Sequence, residues 1–581
     1  MAEEQVNQLA EVDGGPLMTG QESIFAQIEK GLVKNPNAPA VICMHQPPDH
    51  LSGWAGRDAL PSEVPGSQFD CLTLTYAQLY NHALKLVSGL LACDAQPGQV
   101  ILCMIENGVE YALLLWACAI LRLTLSAVDP AVLDQRDIGS LKDYLQLLKP
   151  DLIVVRTSSD SKVVGSAYSE FAHIRQPTIR LFIQAKNNVS SPPGWSSLHD
   201  TAHLPNTSFS ETTILQQARL DNPARVHSIL FTSGTSAGCP KGCPLTVASM
   251  THILASQSWL ITGQTASRVL QQAHNSRAIG PQHTLQTWRT GGAIVLPTGP
   301  SFAVEQTLEA IARHHVTFIV VSPAMVHAIA NALPSLPTGA RDAVRTIQVG
   351  GDVVTREVLV KCAALFPCAK VCVNHGMSEG GGFFICPAGR VARGARVKIW
   401  DARARKVAVA SQLGELHVSC GSLIHGYMDG MDKTAFYVDE KGVRWMNTGD
   451  IAIMTDDQLV YILGRSKDAI SSPGTIIMPA AMESCIEKYT GRQTCVVAIP
   501  KPPLGQEPFA VVSDLDGFAV DQVINHVRET LGERHGITGV ASLKEIGLDR
   551  FPVNATHKIV KSEVQKAVFE YMGGNLIAGS N

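Results

Sequence analysis

The sequence predicts an α/β fold: a large N-terminal domain of sheets built from βα units, joined by a hinge to a small C-terminal α+β domain. Three observations carry that expectation. Short apolar, β-prone runs alternate with helical periodicity over most of the chain, the pattern of mostly parallel sheets with helices on both faces. The 581 residues are 45% hydrophobic and 17% charged, a globular composition with enough apolar mass for more than one core. A turn-rich stretch at 468–474 interrupts the alternation, and a compact mixture of helix and strand follows it.

Taken in order, residues 1–20 are acidic and lack the basic start and apolar core of a signal peptide, so a disordered lead-in is expected there. Strands are expected at 72–76 and 100–104, with an amphipathic helix to Leu91 between them. The apolar run 111–121 falls short of the ~18 residues that cross a bilayer and reads as a buried helix. Runs at 151–155 and 317–321 read as further strands, each preceded by helical periodicity. The Asn, Ser and Pro clusters of 186–205 predict a surface loop or insertion. The domain boundary is placed at 465, giving a large domain 1–465 and a small mobile domain 466–581. Within the latter a helix is expected at 480–489, strands at 494–499 and 509–512, a helix at 520–531 and a last helix after Lys558.

Composition narrows the class of partner. The formal net charge of -4, with no run of Lys or Arg, argues against nucleic acid and membrane surfaces and leaves small molecules. The 14 cysteines form no C-x-x-C pair, so reduced, buried thiols are expected rather than a metal site or a disulfide framework. Gly579-Ser580-Asn581 is not a peroxisomal address, and a cytoplasmic location is expected.

The most telling segment is TSGTSAGCPKG, from Thr232 to Gly242. Glycines let backbone N–H groups turn toward an anion, hydroxyls add neutral donors and Lys241 supplies a countercharge, so the segment suits phosphate. It follows the apolar run 226–231, as a loop leaving a buried strand would. A P-loop would need Gly, four residues and Gly-Lys-Ser/Thr, whereas here Lys241 lies between Pro240 and Gly242; no G-x-G-x-x-G follows a strand here either.

Three further segments carry possible chemistry. Gly350-Gly351-Asp352 precedes Asn374-His375-Gly376-Met377-Ser378-Glu379, where a strand runs into flexible backbone beside a carboxylate fit for a nucleotide's Mg²⁺. Read alone, this is equally a capped helix start. Thr448-Gly449-Asp450 and Gly464-Arg465-Ser466-Lys467-Asp468 offer an acceptor and a donor for ribose hydroxyls, or a hairpin with a solvated salt bridge. Pro552 to Lys561 contains Lys558, which alone reads as a solvated lysine at a helix start.

In this order, from about residue 70 to 570, these segments resemble the signatures of the adenylate-forming superfamily: acyl-CoA synthetases, peptide-synthetase adenylation domains and luciferases. The phosphate loop is similar to TSGTTGxPKG with one extra residue near Ala237 and Ser236 in place of Thr. The second segment resembles YGMTE with His375 for Tyr and Ser378 for Thr; the third matches TGD and GRxKD; the last resembles PxTxxGKIxK with His557 for Gly. Gly414-Glu415-Leu416 and Gly426-Tyr427 resemble the GEL and GY elements, and 474–479 (GTIIMP) resembles the segment lining the thiol tunnel, with Ala481 where Glu is usual.

The resemblance implies roles. Thr232, Ser233, Gly234, Thr235, Ser236 and Lys241 bind the triphosphate, and Gly351, His375 and Gly376 belong to the nucleotide site. Ser378 contacts phosphate, Glu379 holds Mg²⁺, Asp450 and Arg465 hold the ribose, and Gly474 borders the thiol path. Lys467 is the hinge and Lys558 the catalytic lysine. His274 falls near a residue that gates the acyl pocket; as a lone histidine it also fits a satisfied, partly buried one. The implied activity is ATP-dependent activation of a carboxylic acid through an acyl-adenylate, then thioester formation with CoA. Local phrasing such as PKGCPLT looks like ligases of fungal secondary metabolism. Two alternatives stay open: transfer to a carrier-protein phosphopantetheine, and a non-catalytic nucleotide-binding pseudoenzyme.

Overall fold

A computed structural model of the chain describes residues 8–20, 22–52, 54, 70–134, 138–170, 175–184, 191–204, 210–232, 240–262, 267–297, 302–332, 339–385, 389–430, 432–472, 475–501, 505–553 and 558–578. Two seven-stranded sheets dominate the large domain. One runs Lys241–Thr246, Val226–Thr232, Thr124–Ala127, Val100–Met104, Leu152–Thr157, Ile179–Gln184, Ser196–Ser197, parallel throughout except for its first pair. The other runs Lys370–Val373, Thr346–Val349, Phe318–Val321, Arg268–Leu270, Ala293–Leu296, Pro39–Cys43, Leu72–Thr75, parallel except for its last pair.

Helices pack between the sheets because their apolar residues run all round or along one broad stripe. Every residue of Val109–Leu121 is buried. Its Trp116 ring lies 5.9 Å from that of Trp288 on helix Ile279–Thr290 and 6.5 Å from Phe25 on helix Ile24–Lys34, tying three helices into the largest core. Helix Tyr76–Ala92 begins where Thr75 and Gln78 form a capping box, which also ends the strand before it.

A third, antiparallel sheet, with a core of its own, was not foreseen as separate; its strands include Ala395–Asp401, Leu413–Cys420, Arg444–Met454 and Val460–Arg465. After Arg465 the chain makes a short 3-10 turn, Ser466–Asp468, and Ile470 joins the small-domain core with Met482, Val496 and Val527. That domain holds strands Thr494–Pro500, Gln506–Val512 and Gly539–Ser542 and helices Pro479–Thr490, Val520–Leu531 and Lys561–Ala578.

Three expectations need correction. Residues 1–20 are not a disordered lead-in throughout: Glu11–Asp13 pairs antiparallel with Asp13 opposite Arg396, and Ala10 is buried against the third sheet. Its acidic composition hid a strand whose partner lies far along the chain. The stretch 186–205 is not wholly loop, since Ser196–Ser197 extends the first sheet and helix Leu198–Ala202 buries Leu198, Thr201 and Ala202. The turn-rich 468–474 contains a strand, Ile470–Ser472, which pairs antiparallel with Thr475–Ile477 just beyond it. The cysteines among the described residues are free, and burial raises the thiols of Cys43, Cys103 and Cys495. Among the described residues no helix is long and apolar enough to cross a membrane.

Candidate active site

The two ends of the glycine-rich loop are fixed side by side, because Lys241 and Thr232 are register partners across an antiparallel pair. Residues 233–239, and with them Ser233, Gly234, Thr235 and Ser236, lie outside the described residues. Gly242 has to be small: a Cβ there would stand 2.8 Å from Met428 Sδ. Lys241 Nζ pairs with Asp432 at 2.6 Å and lies 5.3 Å from the Tyr427 ring centroid. The Tyr427 hydroxyl donates to Glu379 Oε1 at 2.6 Å, and the Ile424 N–H donates to the Glu379 carbonyl at 2.9 Å. Burial first, then the Glu379 charge, pushes the Tyr427 phenol far above its usual range. Tyr427 thus bridges the lysine of one segment to the carboxylate of another.

Glu379 is 6% exposed at the end of a tight glycine passage. Gly376 pairs with Gly382 and Met377 with Gly381, and a Cβ on Gly376 would sit 2.8 Å from the Gly381 carbonyl oxygen. Ser378 stands half-buried between them. Among the described residues no group of three or more His, Cys, Asp and Glu gathers as a metal cage, so Mg²⁺ here would need oxygens from a phosphate as well as Glu379. A single buried carboxylate beside a lysine-bearing loop fits that sharing.

The second cluster is charged. Asp450 and Arg465 are opposite one another on neighbouring strands, with Arg465 Nε 3.2 Å from Asp450 Oδ1 and Arg465 donating to the Thr448 carbonyl at 2.8 Å. His375 Nε2 is 3.2 Å from Asp450 Oδ2 but out of line, so both atoms are buried without a hydrogen-bond partner among the described residues. Burial alone would raise the Asp450 carboxyl; His375 and Arg465 outweigh it and hold the group below the usual range. Buried polar atoms left without a hydrogen-bond partner cost ~1–3 kcal/mol per group. Lys558 arrives from the small domain: its Cε lies 3.8 Å from where a Cβ would project at Gly351, whose φ is +89°. Burial lowers the Lys558 ammonium, with Arg465 adding to that, while Asp352, Asp450 and Asp468 pull it back.

The profile of AMP-binding enzymes matches residues 49–428. An acyl-CoA ligase of Pestalotiopsis microspora is 41% identical over 97% of this chain and 99% of its own length. This chain belongs to the AMP-binding enzyme family. A 4-coumarate–CoA ligase of Petroselinum crispum is 24% identical over 78% of this chain and 81% of its own. The fold matches that of ATP-bound MatB from Rhodopseudomonas palustris with a TM-score of 0.75 at 18% identity, covering 95% of this chain and 99% of that one. This AMP-binding enzyme is an AMP-forming acid–thiol ligase, using ATP, Mg²⁺ and CoA to make an acyl-CoA through an acyl-adenylate.

The remaining sites of this AMP-binding enzyme divide unevenly. Lys467 is exposed in the turn Ser466–Asp468 between the domains. Gly474 and His557 lie outside the described residues, although Val553 and Ile559 pair across that loop's base. His274 is 4% exposed, with Nδ1 2.9 Å from Ser276 Oγ and Nε2 3.0 Å from the Ile105 carbonyl oxygen, and burial lowers its pKa. Both ring nitrogens are occupied by the protein, as in a satisfied buried histidine. Sequence reasoning missed Asp432 and the bridging role of Tyr427, which the Gly426-Tyr427 element flagged only as a motif, and gave Asp352 no role of its own. It also missed the domain contact: Ser484 of helix Pro479–Thr490 donates to Glu357 of helix Arg356–Leu365, and Glu487 lies 3.9 Å from His327.

Proposed function

We propose that Lys558 governs adenylation and that the two clusters divide the nucleotide between them. Lys241, Thr232 and the loop 233–239 hold the leaving pyrophosphate, with Ser378 on phosphate and Glu379 sharing Mg²⁺. Asp450 and Arg465 take the ribose, with His375, Gly351 and Gly376 about the base. A carboxylate oxygen of the acid attacks the α-phosphorus, the bond to the pyrophosphate oxygen breaks, and pyrophosphate leaves. The Lys558 cation lies against both negative groups as charge develops and offsets it in a site closed by two domains. The small domain then turns about Lys467, withdrawing Lys558; the thiol sulfur attacks the acyl carbon past Gly474, and AMP departs with the acyl–oxygen bond broken.

The observation carrying this reading is that Lys558 Cε lies 3.8 Å from where a Cβ would project at Gly351, while the charges of Asp352, Arg465 and Asp450 all act on its ammonium. The test is pyrophosphate release across a panel of carboxylic acids, with CoA and then a phosphopantetheinylated carrier protein as acceptor. Lys558→Ala should lower adenylation by about 10²–10³-fold and leave thioester formation from supplied acyl-adenylate largely intact. Equal loss of both halves would refute the assignment, and preference for the carrier protein would reassign the acceptor. The free cysteines among the described residues support a cytoplasmic enzyme, checked by cell fractionation, and the secondary-metabolism phrasing supports an unusual acyl or aryl acid.

A further inference from the structure

Behind the nucleotide-facing wall lies a small cavity of about 20 Å³, room for about one water-sized or hydroxyl-sized group, lined by residues of helices Val247–Ser256 and Ile279–Thr290, by Gln257, Leu260 and Ile261, and by Asn374 and Gly382. It adjoins the charged cluster directly. Asn374 precedes His375, the Phe383 N–H donates to the His375 carbonyl at 3.0 Å, and Gly382 pairs with Gly376. Close packing demands glycine along this wall: a Cβ on Gly382 would stand 2.7 Å from Asn374 Oδ1, and one on Gly381 would meet Ile253 at 2.8 Å.

Its lining is unusual for an apolar-acid pocket. Four amides face it, and Gln257 Oε1, Gln282 Nε2, Gln286 Oε1 and Asn374 Oδ1 are buried with no hydrogen-bond partner among the described residues. Gln286 is 4% and Gln257 8% exposed, the latter held by donating from Nε2 to the Gly382 carbonyl at 2.9 Å. Buried polar atoms left unpaired cost ~1–3 kcal/mol each, so four in one cavity mark a place where something else completes them. Among the described residues no Asp, Glu, Lys or Arg lines the cavity, and burial pushes His283, the titratable residue among those that do, down to about 4, so the described wall is neutral. A charged substituent would find no counter-charge there.

We propose that the acid activated by this enzyme carries an uncharged hydrogen-bonding group, a hydroxyl foremost, distal to its carboxylate and seated among Gln257, Gln282, Gln286 and Asn374. The proposal rests on the adenylation reading above. A hydroxyl can donate to an amide oxygen and accept from an amide nitrogen at once, whereas a plain hydrocarbon tail leaves all four unpaired.

The test is pyrophosphate release with matched pairs of acids: para-hydroxycinnamate against cinnamate, and ω-hydroxyalkanoates against alkanoates of equal length. A site built to bind a hydroxyl rejects the analogue lacking it far better than an apolar pocket sorts by size, so kcat/KM should favour the hydroxylated member of at least one pair about tenfold or more. Gln286→Leu should shrink that preference about tenfold with KM for ATP unchanged, and Gln286→Met serves if the leucine variant fails to fold, folding being checked by an ATP-induced thermal shift. Equal turnover of both members of every pair, as a merely water-filled cavity would give, overturns the proposal while adenylation stands; so does a preference unchanged in the variants. No pyrophosphate with any acid overturns the adenylation reading itself.

Discussion

The charged cluster and the amide-lined cavity, proposed above to take the nucleotide and the acid, share a wall, residues 374–384, yet are built from opposite materials. On one face stand Asp450, with Arg465 and His375 each 3.2 Å from its carboxylate, and Lys558, whose ammonium feels the charges of Asp450 and Arg465. On the other stand four neutral amides with open hydrogen-bonding capacity. The difference follows from what each must meet. A nucleotide brings fixed charge and a diol, so opposite charge is worth placing. A neutral acyl tail brings only dipoles, and a buried unpaired charge there would be costly.

The comparison breaks first at Asp450. Asp450→Asn removes the charge that faces Lys558 and Arg465; it should raise KM for ATP by about tenfold or more while leaving the ranking of acids unchanged, read from steady-state kinetics. A change in acid ranking would show that the two sides are coupled. The folded-state pKa of Asp450 is depressed, so its contribution to stability is present above the unfolded carboxyl value of ~3.9 and is lost as pH falls through the lower folded value. Asp450→Asn should flatten that acid limb in thermal melts.

Tyr427→Phe sharpens the same side with a smaller effect. It deletes the donor to Glu379 and leaves the ring beneath Lys241. A hydrogen bond to a charged group is worth ~1.5–3 kcal/mol, so adenylation should fall about tenfold and recover partly at high Mg²⁺. Unchanged dependence on Mg²⁺ would separate Glu379 from the metal.

The smallest effect lies at neither face but at the contact that brings the domains together. Burial raises the Glu487 carboxyl from 4.5 to about 7, and neighbouring His327 is lowered to about 4, also by burial, so the two do not form an ion pair at neutral pH. Because the folded value is raised, the neutral form's contribution is full below about 4.5 and is lost as pH rises through about 7. Glu487→Gln should therefore match the wild-type melting midpoint near pH ~5 and exceed it by about 2–4 °C near pH ~8. A midpoint difference independent of pH would rule out titration of Glu487 as its source.

Legibility in the sequence followed locality. The βα alternation around 72–121 and the helix Val520–Leu531 were readable because periodicity is written in consecutive residues. Glu11–Asp13 was not, since three residues carry no period and their partner is Ala395–Asp401. The phosphate loop, Glu379, Asp450, Arg465 and Lys558 stood out because their chemistry sits inside short strings of Gly, Ser, Thr and Asp. Gln257, Gln282 and Gln286 did not: glutamines on helices read as ordinary solvated positions, and only packing reveals that they face inward.

By itself, then, the sequence determined the fold class, through local pattern, and the order of the nucleotide-handling segments, whose resemblance to adenylate-forming signatures implied the reaction type. Tertiary structure alone decided that Tyr427 links Lys241 to Glu379, that Lys558 of the small domain stands beside Gly351 of the large one, and that four amides line one cavity. Such contacts join residues tens to hundreds of positions apart. Their existence depends on how sheets and helices pack, and no short stretch of chain encodes that.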